Sequence, residues 1–247
     1  MRRMWLGLLL GSCGLWGLSG CATGRPTGAW AGASAMRYRP TTPAAAARPI
    51  APAPRMGVAS SAAPLSGDRE AILSRARSLV GSATIKVEGH RYVSACNGLV
   101  EAAYHDVDVN LRALARPGDN AVTALYRAAE HHGRIYRSTP VPGDLVFFRD
   151  TYDVNRDARA NDGLTHVGLV ESVDEAGTVT VIHHVSRGVV RYQMNPDKPS
   201  LRRDPETGKV LNDALRAGGK GRAVATTGEL FVAFGALLPS TPAMASR

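Results

Sequence analysis

Cys96 stands in Ser94-Ala95-Cys96-Asn97-Gly98-Leu99-Val100, at the opening of a stretch with apolar residues at helical spacing. A cysteine in the first turn of a helix meets unsatisfied backbone N–H groups and the positive end of the helix dipole. Both favour the thiolate, the attacking form, and thiols so placed titrate at about 3.5–7.5. The same N–H groups can bind the oxyanion that develops when a carbonyl is attacked. Such a nucleophile needs a base, and the base needs a group to orient it. His166 opens the run His166-Val167-Gly168-Leu169-Val170, and the pair His183-His184 ends the run that starts at Thr178. One imidazole could take the cysteine proton while a second accepts its other N–H and holds the ring. Read singly, a cysteine early in a helix and histidines at strand ends are also common structural residues.

The elements that must position these groups follow from periodicity. Asp68 is the expected cap of a first helix with Ile72, Leu73, Ala76, Leu79 and Val80 on its apolar face, ending at Gly81. Ser94 is the expected cap of a second, with Leu99, Val100, Ala103, Tyr104 and Val107 at helical spacing. Residues 120–132 predict a third, started by Asp119 or Asn120 and stopped by Gly133. The period then changes to two. Asp144–Phe148, His166–Val173, Thr178–His184, Val189–Met194 and Leu230–Leu237 read as strands separated by turn residues. Helices first and strands afterwards predict an α+β domain with N-terminal helices packed on an antiparallel β-sheet. The turn Asp174-Glu175-Ala176-Gly177 makes a hairpin that brings His166 beside His183 and His184. Gly168, on the face His166 occupies, lets another element approach closely.

Four motifs in order carry a resemblance: Cys96-x-Gly98-Leu99-Val100, Pro142-Gly143-Asp144-Leu145-Val146-Phe147-Phe148, His166-Val167-Gly168-Leu169-Val170 and Ile182-His183. Together they resemble the NlpC-type and CHAP-type cell-wall hydrolases, over roughly residues 70–195. The resemblance implies a papain-like cysteine hydrolase fold and cleavage of peptide or amide bonds of peptidoglycan. By position it makes Cys96 the nucleophile, His166 the base and His183 the third, orienting residue. Strand parity leaves His184 as the alternative, since His183 shares a face with Val181 and His184 with Ile182. Ala95 and Asn97 stand where these families usually carry aspartate and serine. Two other functions therefore stay in view: a non-catalytic wall-binding scaffold on the same fold, and a papain-like acyltransferase. No cofactor is expected, and a monomer is.

The N-terminal region has a different character. Residues 1–20 combine Arg2 and Arg3 with a short apolar stretch ending in Leu18-Ser19-Gly20, directly before Cys21. That resembles a bacterial lipoprotein signal, which implies lipid on Cys21 and attachment to the membrane through that lipid. Ala22, not aspartate, follows, which under enterobacterial-type sorting predicts the periplasmic face of the outer membrane. Residues 21–66 are rich in Ala, Pro, Gly, Ser and Arg, with few large aliphatic side chains. Such a segment buries too little apolar surface to offset its ordering entropy and predicts a disordered tether. Residues 67–240 form the expected catalytic domain. With Cys13 in the signal and Cys21 lipidated, Cys96 is the one thiol of the mature chain, without an intramolecular partner in an oxidising compartment.

Charge argues against nucleic acid. The chain has 30 basic and 21 acidic residues, and every charged residue before Asp68 is an arginine, seven in all. Without those, 23 basic residues face 21 acidic ones, so the expected folded part carries no strong basic excess. In the segment 150–163, Asp153, Asn155 and Asp157 alternate as calcium ligands do, but Ala158 and Leu164 replace the glycine and glutamate of such loops. A solvated insertion without metal is the expectation. Lys220, in Gly-Gly-Lys-Gly, lacks the pattern of a phosphate loop and reads as a turn. His131 and His132 read as helix-terminal structural residues, and Pro142-Gly143-Asp144 as a turn feeding a buried strand.

Overall fold

The computed structural model describes residues 65–219 and 222–238. Cys21, nearly all of the expected tether and Lys220 lie outside them. No described helix is long and apolar enough to cross a membrane.

Helix α1 (Gly67–Ser78) starts at Ser66, whose hydroxyl accepts from Arg69 N–H at 3.4 Å. Asp68, expected as the cap, sits instead in the first turn, where its charge meets the helix dipole. The helix stops before Gly81, with Leu79 as its C-cap. Two-residue strands β1 (Lys86–Val87) and β2 (His90–Arg91) make a small antiparallel hairpin. Helix α2 (Cys96–Ala103) has Ala95 as N-cap, not Ser94, and no side chain caps it. Helix α3 (Ala121–His132) is capped by Asn120, whose side-chain oxygen accepts from Thr123 N–H at 2.9 Å, and ends at Gly133.

The strands follow: β3 (Arg134–Tyr136), β4 (Leu145–Arg149), β5 (Leu164–Val173), β6 (Val179–Val185), β7 (Gly188–Met194), β8 (Ala214–Arg216) and β9 (Ala225–Thr226). A four-residue helix α4 (Thr227–Leu230) leads into β10 (Phe231–Ala236). The main sheet has six antiparallel strands in the order β3-β10-β4-β5-β6-β7. The α+β architecture expected from the order of periods is therefore present. β8 and β9 pair separately.

Both faces of the sheet are covered. Leu145, Phe147, Val167, Leu169 and Ile182 pack with Leu99, Val100, Val122 and Leu125 of α2 and α3. Val146, Phe148, Val170, Val181 and Met194 pack on the other side with Ala225, Leu230 and Phe234. Two-sided burial explains why β4 and β5 read as nearly continuous apolar runs and not as clean alternation. Between β4 and the helices lies a buried ion pair: Arg69 donates to Asp144 Oδ1 at 2.8 Å, and both side chains are almost fully buried. Asp144 also accepts from Tyr136 Oη and from Val141 N–H, the latter at 3.0 Å. Its carboxylate is thus a buried strut for the Pro142-Gly143 turn, the structural role its sequence context suggests.

Candidate active site

A cleft of about 450 Å³ opens where the start of α2 meets β5 and β6, lined among others by Cys96, Asn97, Asn120, His166 and His184. Cys96 is half-buried at its wall and is not sealed in the core. Gly98 explains how the loop before α2 folds over the helix start: a Cβ there would collide with the Val93 carbonyl. Ala95 offers no capping oxygen, so no N-cap side chain takes the first N–H groups of α2.

His166 lies on β5 opposite Phe148 of β4. Asn120 ties the start of that strand to α3 by donating from Nδ2 to the Leu164 carbonyl at 2.8 Å. The predicted hairpin of β5 and β6 is formed, and it sets His166 Nε2 at 2.8 Å from His183 Nδ1. Gly168 is what permits this approach: a Cβ there would press on Val181 and on His183 Cβ. His183 is fully buried and His166 nearly so. His184 points to the other face, lines the cleft, and meets the Ala83 carbonyl at 3.4 Å through Nε2. The structure thus sets Cys96 and His166 on one cleft, with His183 against His166 behind it. Among the described residues no hydrogen bond joins Cys96 to His166. Catalytic pairs often stand apart in this way until substrate is bound.

The electrostatics differ from the sequence expectation. Burial pushes the Cys96 thiol up, against the smaller opposing pull of the backbone N–H groups of Val167 and Asn97. Burial drives the His166 pKa down to about 4, with His184 adding to the effect. His183 is driven well below the usual histidine range, again mainly by burial and then by His166. At neutral pH the resting pair is therefore thiol and neutral imidazole. The N–H groups at the helix terminus favour the thiolate, but the desolvation that accompanies them outweighs it. The Val167 N–H beside the thiol was not foreseeable either, since it depends on where β5 docks.

Residues 87–184 match the CHAP domain family. A CHAP domain is detected over this segment. It covers fewer than half of the 247 residues, but it spans Cys96, His166 and His183. No curated protein and no solved structure matches the chain. The match is consistent with a CHAP-type cell-wall hydrolase acting on peptidoglycan. The α1 helix, β7 and β10 lie outside the matched residues.

The segment before β5 is folded on its own hydrogen bonds. Asp153 Oδ2 accepts from Ala158 N–H at 2.9 Å, Asn155 Oδ1 from Asp157 N–H at 3.0 Å, and Asp157 Oδ1 from Arg159 N–H at 2.8 Å. Arg222 sits against it, 3.5 Å from Asp162. The alternating oxygens noted in the sequence are thus engaged with loop backbone, one apiece. Asn120 and Tyr192 are the neighbours of the site that sequence reasoning passed over. Asn120 was recognised only as a possible cap, and Tyr192 only as part of a strand.

Proposed function

We propose that the protein is a cysteine hydrolase of papain-like fold that cleaves peptide or amide bonds of peptidoglycan through Cys96, His166 and His183. The observation that carries this reading is the 2.8 Å contact between His166 Nε2 and His183 Nδ1 in a cleft that Cys96 shares. That contact occupies the outer nitrogen of His166 and leaves Nδ1 for the thiol. As Cys96 Sγ attacks the substrate carbonyl carbon, its proton passes to His166 Nδ1 and the carbonyl oxygen becomes an oxyanion. The N–H groups at the start of α2, which no N-cap side chain occupies, are the donors for it. The tetrahedral species collapses, the C–N bond breaks, and the amine leaves with the proton from His166. Water then gives a proton to His166, attacks the thioester, and frees the acid with return of the proton to sulfur. His183 holds the His166 ring in register throughout.

The reading includes export and anchoring: cleavage before Cys21, lipid on that residue, and the tether of residues 21–66 holding the domain at the periplasmic face of the outer membrane, within reach of murein. Its support is the sequence pattern at residues 1–21. Palmitate labelling in the native cell should mark the wild type and not Cys21→Ala.

The raised thiol pKa and the absence of a Cys96–His166 hydrogen bond favour one competing reading, a wall-binding scaffold without catalysis. Incubating the purified protein with murein sacculi separates the two. The hydrolase releases soluble muropeptides, and Cys96→Ala lowers release by roughly 10⁴-fold or more. Binding of sacculi with equal release from both proteins would leave only the scaffold.

A further inference from the structure

Among the described residues the site leaves one buried polar atom without a partner. His183 is fully buried, and its Nε2 makes no hydrogen bond. Its Nδ1 lies 2.8 Å from His166 Nε2. A neutral imidazole carries one N–H and one lone pair, and this contact needs one of each. Two tautomer pairs satisfy it. If His183 Nδ1 donates, His166 must carry its own proton on Nδ1, and then it cannot accept a proton on the cleft side. If His166 Nε2 donates, its Nδ1 is free to act as base. The proton of His183 then sits on Nε2, buried and without an oxygen or nitrogen acceptor. Activity of the site requires the second pair, so something must make that buried N–H tolerable.

Tyr192 of β7 packs against the His183 ring. Its ring centroid lies 4.5 Å from that of His183, with the planes at 66°, an edge-to-face arrangement. The β6–β7 register sets Tyr192 opposite Val181 and His183 opposite Val190, so both rings stand on one face of adjacent strands. An aromatic face carries negative charge density, which attracts an N–H and repels a lone pair. Arg187 donates to Tyr192 Oη at 3.0 Å, and its guanidinium carbon lies 5.2 Å from the ring centroid. The tyrosine ring is thereby braced from its outer side. Tyr192 lies beyond the residues matched to the CHAP family.

We propose that Tyr192 is a positioning residue for this site: its ring face keeps the proton of His183 on Nε2. His183 Nδ1 then stays an acceptor, His166 donates from Nε2, and His166 Nδ1 stays open to the Cys96 proton. This inference rests on His166 serving as the base. It acts through two rings in series, since Tyr192 sits behind His183 and not at the cleft. Tyr192→Phe keeps the ring face and Tyr192→Leu removes it.

The test is two-bond ¹H–¹⁵N correlation spectroscopy on the full chain with labelled histidine at neutral pH, together with kinetics on a soluble murein peptide. The expected spectra show Nε2–H on both His166 and His183 in the wild type and in Tyr192→Phe. In Tyr192→Leu the His183 signal shifts toward the Nδ1–H form, and kcat falls by about tenfold or more with KM unchanged. Nδ1–H on His183 in the wild type would overturn the proposal, as would a wild-type spectrum and rate in Tyr192→Leu. Should Tyr192→Leu fail to fold, the wild-type and Tyr192→Phe spectra still decide it. A wild type that releases nothing from murein defeats the hydrolase reading while leaving the tautomer question answerable.

Discussion

At the residue scale the site is set by desolvation. Burial opposes both charged forms, raising the thiol of Cys96 and lowering the imidazole of His166 to about 4. In the mechanism proposed above, proton transfer then accompanies attack and does not precede it. Alkylation of Cys96 by iodoacetamide should accelerate steadily as pH rises through the alkaline side of neutral. A flat, fast region between about pH 5 and 7, the mark of a preformed thiolate–imidazolium pair, would show that burial is not the controlling effect. The two neighbouring histidines should also separate. His183 holds His166, whereas His184 meets a backbone carbonyl. His183→Ala should therefore lower kcat by about 10²-fold or more, and His184→Ala by much less, in muropeptide release assays.

At the scale of elements, the hairpin of β5 and β6 carries the geometry. Both histidines are placed by strand register, and the register holds because Gly168 leaves room for Val181 and His183. Gly168→Val would force the two strands apart where the rings meet. It should cost about 1–3 kcal/mol of stability by overpacking, seen as a lowered denaturation midpoint, with a loss of activity beyond the fraction unfolded. Helix α2 contributes by what it lacks. With Ala95 at its N-cap it has no capping side chain, and Gly98 lets the Val93 carbonyl lie against its first turn. α3 fixes the far wall through Asn120, which caps its own helix and holds Leu164 at the head of β5.

At the scale of the molecule, a sheet covered on both faces encloses charged and titratable groups that must be matched or neutral. Arg69 and Asp144 are matched. Removing one partner strands the other, so Asp144→Ala should cost about 3–5 kcal/mol in chemical denaturation. The buried histidines are neutral instead. Their pKa values are depressed on folding, so the unfolded chain binds more protons below its ordinary histidine range. Their contribution to stability is complete above about pH 6.5 and declines as pH falls toward about 4, the value for His166. For His166 alone this amounts to on the order of 3 kcal/mol. Denaturation midpoints measured across that range should fall with acid, and His166→Gln should flatten the dependence.

The helices and the main strands were legible in the sequence because periodicity reports which face of an element is buried. Residues 121–132 and the hairpin of β5 and β6 lie where the pattern places them, with ends displaced by a few residues. The caps were read less well: Ser66 and not Asp68 caps α1, since either can accept the same N–H, and α2 starts after Ala95, which has no side chain to cap it. The short strands β1, β2, β3, β8 and β9 carry too few residues to show a period. Residue types alone thus determined a helix-borne thiol, a strand-borne imidazole and a second ring beside it. Only the tertiary structure decided that His183 and not His184 meets His166, that burial opposes the helix terminus at Cys96, and that Tyr192 backs the pair. Register, desolvation and ring contact are properties of chain segments brought together, and no single segment encodes them.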